Sequence, residues 1–169
     1  MTLTKTERAL LANQNKILAL LDTNNAEYYS LKAEIAENGY TGLYHKLFQG
    51  ISDEIPEEIC KETHDILHMY RVIENAIAPL TDEQKETIPN FARIKFEGFD
   101  GNNDPHYFYT KFMVEKENTY RELGDKPLNS HTMASIGKYR SMLPVFQRVT
   151  QANHHNLNLD GLKEIGSSI

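Results

Sequence analysis

The chain has 169 residues, of which 40% are hydrophobic and 25% charged, so it has enough apolar residues for one domain with its own core. Its net charge of −6 and the lack of any block rich in Lys and Arg argue against nucleic-acid binding, which needs clustered basic side chains. No apolar run is long enough to span a membrane, no signal peptide is recognisable, and a lone cysteine, Cys60, excludes an internal disulfide, so we expect a cytoplasmic protein.

The first 55 residues predict a helical hairpin followed by a short helix. Thr4 and Glu7 have capping-box spacing, so a helix is predicted to begin there and to end near Asp22. A second helix is predicted from Asn24 or Asn25 to Asn38-Gly39. The short connection favours antiparallel packing. A short helix over 40–49 and a loop over 50–55 follow. The expected apolar positions of the hairpin are Leu10, Leu11, Ile17, Leu18 and Leu21 in the first helix and Tyr28, Leu31 and Ile35 in the second.

The longest predicted helix runs from Pro56 to Ala78. Proline is tolerated in the first turn of a helix and ends one when it follows, as Pro79 does here. At 3.6 residues per turn, one face is apolar and the opposite face polar. The apolar face carries Ile59, Thr63, Ile66, Tyr70, Ile73 and Ile77, and the polar face carries Lys61, His64, His68, Arg71 and Asn75. This amphipathic helix is the expected centre of the fold.

The rest of the chain is also predominantly helical by pattern. Thr81 and Gln84 again have capping-box spacing and predict a short helix that ends before Pro89. Residues 91–99 have the least helical pattern and are expected to be extended, and residues 98–105 form a polar loop. Asp104 and Pro105 are suited to the N-cap and first position of a helix that ends near Gly124.

Two further helices are predicted near the C-terminus. One begins at about Thr132 and contains Pro144, which should kink or divide it. A polar break over 153–156, with the adjacent His154 and His155, precedes a last short helix that carries Leu159, Leu162 and Ile165. The sequence as a whole therefore predicts an all-α, multihelical array of about seven or eight helices around the long central helix, in a single domain over residues 1–169.

Several stretches together resemble the YfbU family of bacterial proteins, over nearly the whole chain. The shared stretches are LANQNK at 11–16, LDTNNAE at 21–27, NGY at 38–40, EIC at 58–60, DILHMY at 65–70, FEGFD at 96–100 and FMV at 112–114. The resemblance implies a compact helical protein but no known reaction or site residues. Larger relatives carry an added N-terminal DNA-binding segment, whereas this sequence begins at the first shared helix, so we expect no direct nucleic-acid contact.

Three residues of the central helix are candidates for metal or thiol chemistry. His64 and His68 are four residues apart, a spacing that places two imidazoles within reach of one metal ion. The order H-E-x-x-H is absent and no third ligand is evident, so exposed or interface histidines are the simpler interpretation. Cys60 lies near the helix N-terminus, where a thiolate is favoured, although a packed cysteine is the more common case.

The polar loop offers a third candidate. Asp100, Asn102 and Asp104 match positions 1, 3 and 5 of a calcium-binding EF-hand loop, but Pro105 and Lys111 stand where that loop needs Gly and Glu. We therefore expect a structural loop in which glycines supply positive φ and Asp104 caps a helix. Alternatively, the loop supports a recognition surface made of Phe96, Phe99, Asp100, Asn102, Tyr107 and Tyr109.

The functional expectation is an interaction or regulatory protein that self-associates or binds another protein. It depends on the negative charge, the nine tyrosines, which suit interfaces, and the polar helix faces. No cofactor and no membrane association are expected. The alternative is a small-molecule- or metal-binding protein, or an enzyme of unknown reaction, that uses His64, His68, Cys60 or Asp100.

Overall fold

The structure is a computed structural model that describes residues 2–131, 133–152 and 156–169. It divides the chain into two compact units, Met1–Glu54 and Ile55–Ile169. The described residues form seven α-helices and three short 3₁₀ helices, joined by turns and irregular segments, and no strand occurs among them. The all-α prediction is therefore confirmed, while the prediction of one domain over residues 1–169 stays a prediction. Thr132, His154 and His155 lie outside the described residues.

The first unit is the predicted helical hairpin. Helix α1 spans Lys5–Leu21, and helix α2 spans Ala26–Asn38, joined by a 3₁₀ turn over Thr23–Asn25. The capping box at Thr4 and Glu7 is present. Gly39 ends α2 with a φ of 69°, and its amide donates to the carbonyl of Ile35, because glycine adopts this left-handed conformation without a steric penalty. The predicted short helix over 40–49 is a 3₁₀ helix over Thr41–Lys46.

The face by which α1 packs in this hairpin differs from the predicted one. Ala12 and Asn15 are the buried residues of α1, and Ala12 belongs to a small core that also holds Ile35, Ala36, Tyr44 and Leu47. Small side chains at this contact let the two helix backbones approach closely. Four of the five expected apolar positions are exposed instead, and Leu11 is half-buried; the exposed four are Leu10, Ile17, Leu18 and Leu21.

The second unit is built on the long helix, on which three of the other helices pack. Helix α3 spans Glu57–Ile77, α4 spans Asp82–Glu86, α5 spans His106–Glu115, α6 spans Ile136–Ala152 and α7 spans Leu159–Ser167, with a 3₁₀ turn over Arg121–Leu123. Helices α5, α6 and α7 all contact α3. The N-terminal capping box of α4, at Thr81 and Gln84, is present as predicted.

The predicted core face of α3 is confirmed. Thr63, Ile66, Tyr70 and Ile73 on this face are completely buried, as are the flanking Leu67 and Met69. The Tyr70 ring packs against Phe96 and Tyr139 with ring centroids 5.2 Å apart in both pairs. Burial of aromatic and branched side chains at this density is the main contribution to the stability of the unit.

Two predicted helices are shorter in the structure. Helix α5 ends at Glu115 and not near Gly124, because Asn118 and Tyr120 adopt left-handed φ values of 56° and 58°. That turn buries the Tyr120 ring, whose centroid lies 4.2 Å from the Arg71 guanidinium carbon. The Tyr120 hydroxyl donates to the His64 carbonyl. Tertiary packing thus overrides a helical pattern. Helix α6 begins at Ile136, after the predicted start, and Pro144 lies inside it without dividing it.

The segment over 91–99 is irregular and not extended into a strand. Its single ladder-like contact is an isolated bridge between Phe99 and Asn129. Side chains from α6 bind its backbone instead: Lys138 Nζ donates to the carbonyls of Arg93 and Lys95 at 2.9 and 3.3 Å, and Tyr139 Oη donates to the Gly98 carbonyl at 2.7 Å. Burial lowers the pKa of Lys138 and raises that of Tyr139. These bonds satisfy backbone groups that a sheet would otherwise pair.

Truncation on the two faces of α3 should have unequal effects. We expect Ile66→Ala to lower the free energy of unfolding by about 2–5 kcal/mol, because Ile66 is fully buried and its loss leaves a cavity. His64→Ala should cost less, since that side chain is only half-buried. Urea unfolding of both variants measures the difference, and a larger loss for His64→Ala would show that the faces of α3 are assigned incorrectly.

Candidate functional site

His64 is held in an aromatic setting on the outer side of α3. Its Nε2 lies 3.0 Å from Tyr109 Oη in a hydrogen bond, and its ring packs edge-on against Tyr109, with the Tyr120 ring 6.1 Å away. Burial raises the pKa of both tyrosines. One ring nitrogen of His64 is therefore already bonded to a side chain of α5, which gives this histidine a role in helix packing.

His68 lies one turn further along α3 and is exposed, with its ring against Phe146 at 6.0 Å. The two histidines thus have different neighbours. Within the described ranges, no group of three or more His, Cys, Asp or Glu side chains is placed to hold a metal ion. The sequence favoured exposed or interface histidines over a metal site at His64 and His68, and that interpretation stays a prediction.

Cys60 is half-buried at the N-terminal end of α3. Its Sγ lies 3.9 Å from the carbonyl oxygen of Ile55, in the turn that precedes the helix. This contact belongs to the start of the helix. The position fits the packed cysteine that the sequence favoured over a nucleophile.

The polar loop is closed by its own side chains. Asp100 Oδ1 accepts from the Asn102 amide at 2.9 Å, and Asp104 Oδ2 accepts from the Asp100 amide at 3.0 Å. Asp104 therefore bonds back into the loop and does not cap α5, contrary to the sequence expectation. Gly98, with φ of 81°, packs so closely on Leu128 that a Cβ would lie 2.5 Å from its carbonyl oxygen, which confirms the need for glycine there.

The six residues of the expected recognition surface are divided between the interior and the surface. Phe96, Phe99 and Asp100 are buried, whereas Asn102 is exposed and Tyr107 and Tyr109 are half-buried. The Phe99 ring stacks on His106 at 5.2 Å and belongs to the aromatic core with Phe96 and Tyr139. Asn102, Tyr107 and Tyr109 are thus the three residues of the predicted surface that contact solvent.

A charged network that the sequence did not indicate joins three helices of the second unit. The Glu62 carboxylate on α3 accepts from Arg140 Nε and Nη2 on α6 at 2.7 and 2.9 Å. His106 Nε2, on α5, donates to the same carboxylate at 2.8 Å. The Arg140 hydrogen bonds, and then His106, lower the pKa of Glu62 from 4.5 to about 2. Since 44 and 78 residues separate Glu62 from its partners, no local spacing could have predicted them.

The network of Glu62, His106 and Arg140, which we call the clamp, has a structural role because it holds three helices together. His106 is 2% exposed, and among the described residues its Nδ1 has no hydrogen-bond partner, as is also true of the hydroxyl of Thr110, one turn along α5. A carboxylate that orients a histidine also occurs in catalytic sites, but there the second ring nitrogen faces a nucleophile or substrate. Here the ring stacks on Phe99 inside the core, and the network positions α3, α5 and α6.

The outer face of α1 is a different kind of surface, because it is apolar and unpaired within its hairpin. Leu10, Ile17 and Leu21 are 58, 55 and 77% exposed. With about 100° per residue, they form one stripe almost directly opposite the buried Ala12 and Asn15. Leu18 and Leu20 flank this stripe and are also exposed. A helix with apolar residues on two opposite faces is typical of a helix that is packed on both.

A groove lies at the N-terminal end of this stripe. It has a volume of about 290 Å³ and is lined by Leu3, Glu7, Leu10, Leu11, Gln14 and Phe48. Four of these six side chains are apolar. The groove is the size of a side-chain pocket and is smaller than most small-molecule sites, which enclose roughly 300–1,000 Å³. It extends the apolar stripe of α1 and is lined by residues of the first unit alone.

Comparison with known protein families gives one match over most of the chain. A model of the YfbU domain matches residues 1–167, so it covers both compact units. Among the described residues, no helix has the length and apolar character that crossing a bilayer requires.

The clamp at Glu62 predicts a specific dependence of stability on pH. Because the Glu62 pKa is lowered in the folded protein to about 2, its stabilising contribution is present above its ordinary pKa and is lost as the pH falls towards 2. Glu62→Gln should lower the free energy of unfolding at neutral pH by about 1–3 kcal/mol and flatten its dependence below about pH 5. Urea unfolding at several pH values tests this, with Glu58→Gln, an exposed position of the same helix, as the control. Equal slopes for wild type and Glu62→Gln would contradict the assignment.

Proposed function

The chain belongs to the YfbU family, and we propose that it is a cytoplasmic protein-interaction module that acts as a homo-oligomer and associates through its N-terminal helical hairpin. The observation that carries this proposal is the distribution of exposed apolar side chains along the chain. The proposal assigns no reaction to the protein. It assigns a surface, the outer face of α1, and a partner, a second copy of the same chain.

Exposed apolar side chains are concentrated in the hairpin. Of thirteen large hydrophobic side chains that are exposed among the described residues, ten belong to the first 54 residues. Isolated exposed leucines are normal on a protein surface, but a contiguous patch is typical of an interaction site. Among the described residues of the second unit, by contrast, most large apolar side chains are at least partly buried, and only Phe108, Phe112 and Met133 are exposed.

The area of the patch is of the right order for a stable interface. The stripe and its flanks are each between two fifths and four fifths exposed, and these five side chains together present on the order of several hundred Å². A standard interface takes about 800 Å² from each partner. At about 25 cal/mol per Å², burying several hundred Å² on each copy contributes on the order of 10–20 kcal/mol, which is of the same order as or above the roughly 4–15 kcal/mol cost of immobilising two molecules.

The small size of the hairpin also favours association. The hydrophobic core of the first unit is small. Among the described residues it contains five buried ones, two of which are alanines: Ala12, Ile35, Ala36, Tyr44 and Leu47. Units of about 50 residues bury too little apolar surface to be strongly stable alone and commonly gain stability by oligomerising. Pairing two hairpins would bury the outer leucines of both copies.

The ionisable residues support this interpretation over an enzyme. Glu62, His106 and Arg140 bond to one another between helices, and His64 bonds to Tyr109. In both groups the polar atoms are used to fix helix positions. The alternative in which His64, His68, Cys60 or Asp100 performs chemistry has no comparable geometric support.

The mass of the protein in solution tests the proposal. We expect size-exclusion chromatography with light scattering to give a dimer or a larger assembly at micromolar concentrations, the range of a standard interface of modest affinity. Ile17→Lys should shift the equilibrium towards monomer by at least tenfold, because it places a charge in the middle of the apolar stripe.

Phe108→Lys is the matched control. Phe108 is exposed to a similar extent, 62% against 55% for Ile17, but lies on α5 in the second unit. The Phe108→Lys substitution should leave the mass of the assembly unchanged. Lysine is a good helix former, so circular dichroism should show both variants folded. A wild-type monomer at every concentration would contradict the proposal.

A further inference from the structure

Resting on the proposed self-association, we infer that two copies pair through α1 in antiparallel orientation, with Leu21 of each copy against the groove formed by Leu3, Leu10, Leu11 and Phe48 of the other. This states which residues meet and which way the two helices run. It applies to the same surface as the proposed function but is falsifiable separately.

The spacing of the stripe is that of a helix seam. Leu10, Gln14, Ile17 and Leu21 are separated by four, three and four residues, the alternation by which one helix packs along another. All four side chains are exposed in the hairpin. Because Leu18 and Leu20 widen the apolar strip on both sides, the seam suits a broad helix-to-helix contact of the kind found in bundles.

The two ends of α1 are complementary in shape. The N-terminal end contains the 290 Å³ groove beside Leu10 and Leu11. The C-terminal end presents the two most exposed leucines of the protein's described residues, Leu20 at 80% and Leu21 at 77%. An antiparallel pair that aligns the seam with itself places Leu21 opposite Leu10 and Ile17 opposite Gln14. Each groove then receives Leu21 of the other copy, so the contact occurs twice per dimer, as a twofold interface requires.

The charge on α1 disfavours the parallel alternative. Counting seven residues back along the seam from Gln14 leads to Glu7, which the capping box holds in place through bonds from the Thr4 amide and hydroxyl, both at 2.7 Å. In a parallel pair, the Glu7 carboxylates of the two copies would face each other at the interface. Directly opposed like charges are destabilising. In the antiparallel register Glu7 lies opposite Asn24, beyond the end of the partner α1.

Disulfide trapping distinguishes the two orientations. Cys60 is the single cysteine of the chain, so Cys60→Ser gives a background without thiols. On it, Leu10→Cys and Leu21→Cys are made as separate proteins. Disulfides need Cα atoms within about 7 Å. In an antiparallel dimer the two copies of residue 10 are about 16 Å apart along the axis, at about 1.5 Å per residue, whereas residue 10 of one copy faces residue 21 of the other.

The inferred arrangement therefore predicts that oxidation of the mixed proteins gives the mixed disulfide dimer, and that Leu10→Cys alone gives at least tenfold less cross-linked product. A reverse result, in which Leu10→Cys cross-links with itself efficiently, would overturn the orientation while leaving the proposed dimer intact. A monomeric wild type would overturn both.

A second variant tests the orientation without cysteines. Glu7→Gln preserves the capping box, since Gln serves at this position as well as Glu. Glu7 lines the groove but faces no second carboxylate in the antiparallel dimer, so the dissociation constant, measured by sedimentation, should change by less than about tenfold and without dependence on salt. A tightening of tenfold or more, lost at high salt, would indicate that Glu7 faces its own copy and would overturn the antiparallel assignment.

Discussion

Burial of one face of α3 is the interaction on which the second unit depends. Ile66, Tyr70 and Ile73 lie at the centre of its core, and α5, α6 and α7 all pack on this helix. The polar side chains around that core are used in the same way: Glu62 joins three helices through Arg140 and His106, and Lys138 and Tyr139 bind the irregular segment that has no sheet to pair with. The unit is thus organised for internal cohesion.

The hairpin of the first unit follows a different principle. Its helices approach on alanines, so the contact between α1 and α2 leaves the leucines of α1 outside. Selection for solubility alone would place polar side chains on that outer face. An apolar stripe with seam spacing, next to a groove of side-chain size, has a direct physical explanation if a second helix covers it. We propose that the second unit is stabilised by its own core and that the hairpin of the first unit provides the surface for self-association.

The sequence predicted what is local and missed what is distant. Capping boxes at Thr4 and Thr81, the stop at Gly39 and the core face of α3 follow from spacing within one or two turns, and all are present. The early end of α5 depends on Tyr120 packing under Arg71, and the clamp depends on residues far apart in the chain. The sequence identified the apolar side of α1 correctly. Periodicity alone could not tell that a different face of α1 would pack within the hairpin.

The most direct test of this account is the mass of the wild-type chain and of Ile17→Lys, measured by light scattering over a wide concentration range. The account predicts an oligomeric wild type, an Ile17→Lys variant shifted to monomer, and a Phe108→Lys control that behaves as the wild type. If the wild type is a monomer throughout, or if Ile17→Lys and Phe108→Lys are equally oligomeric, the outer face of α1 is not the self-association surface.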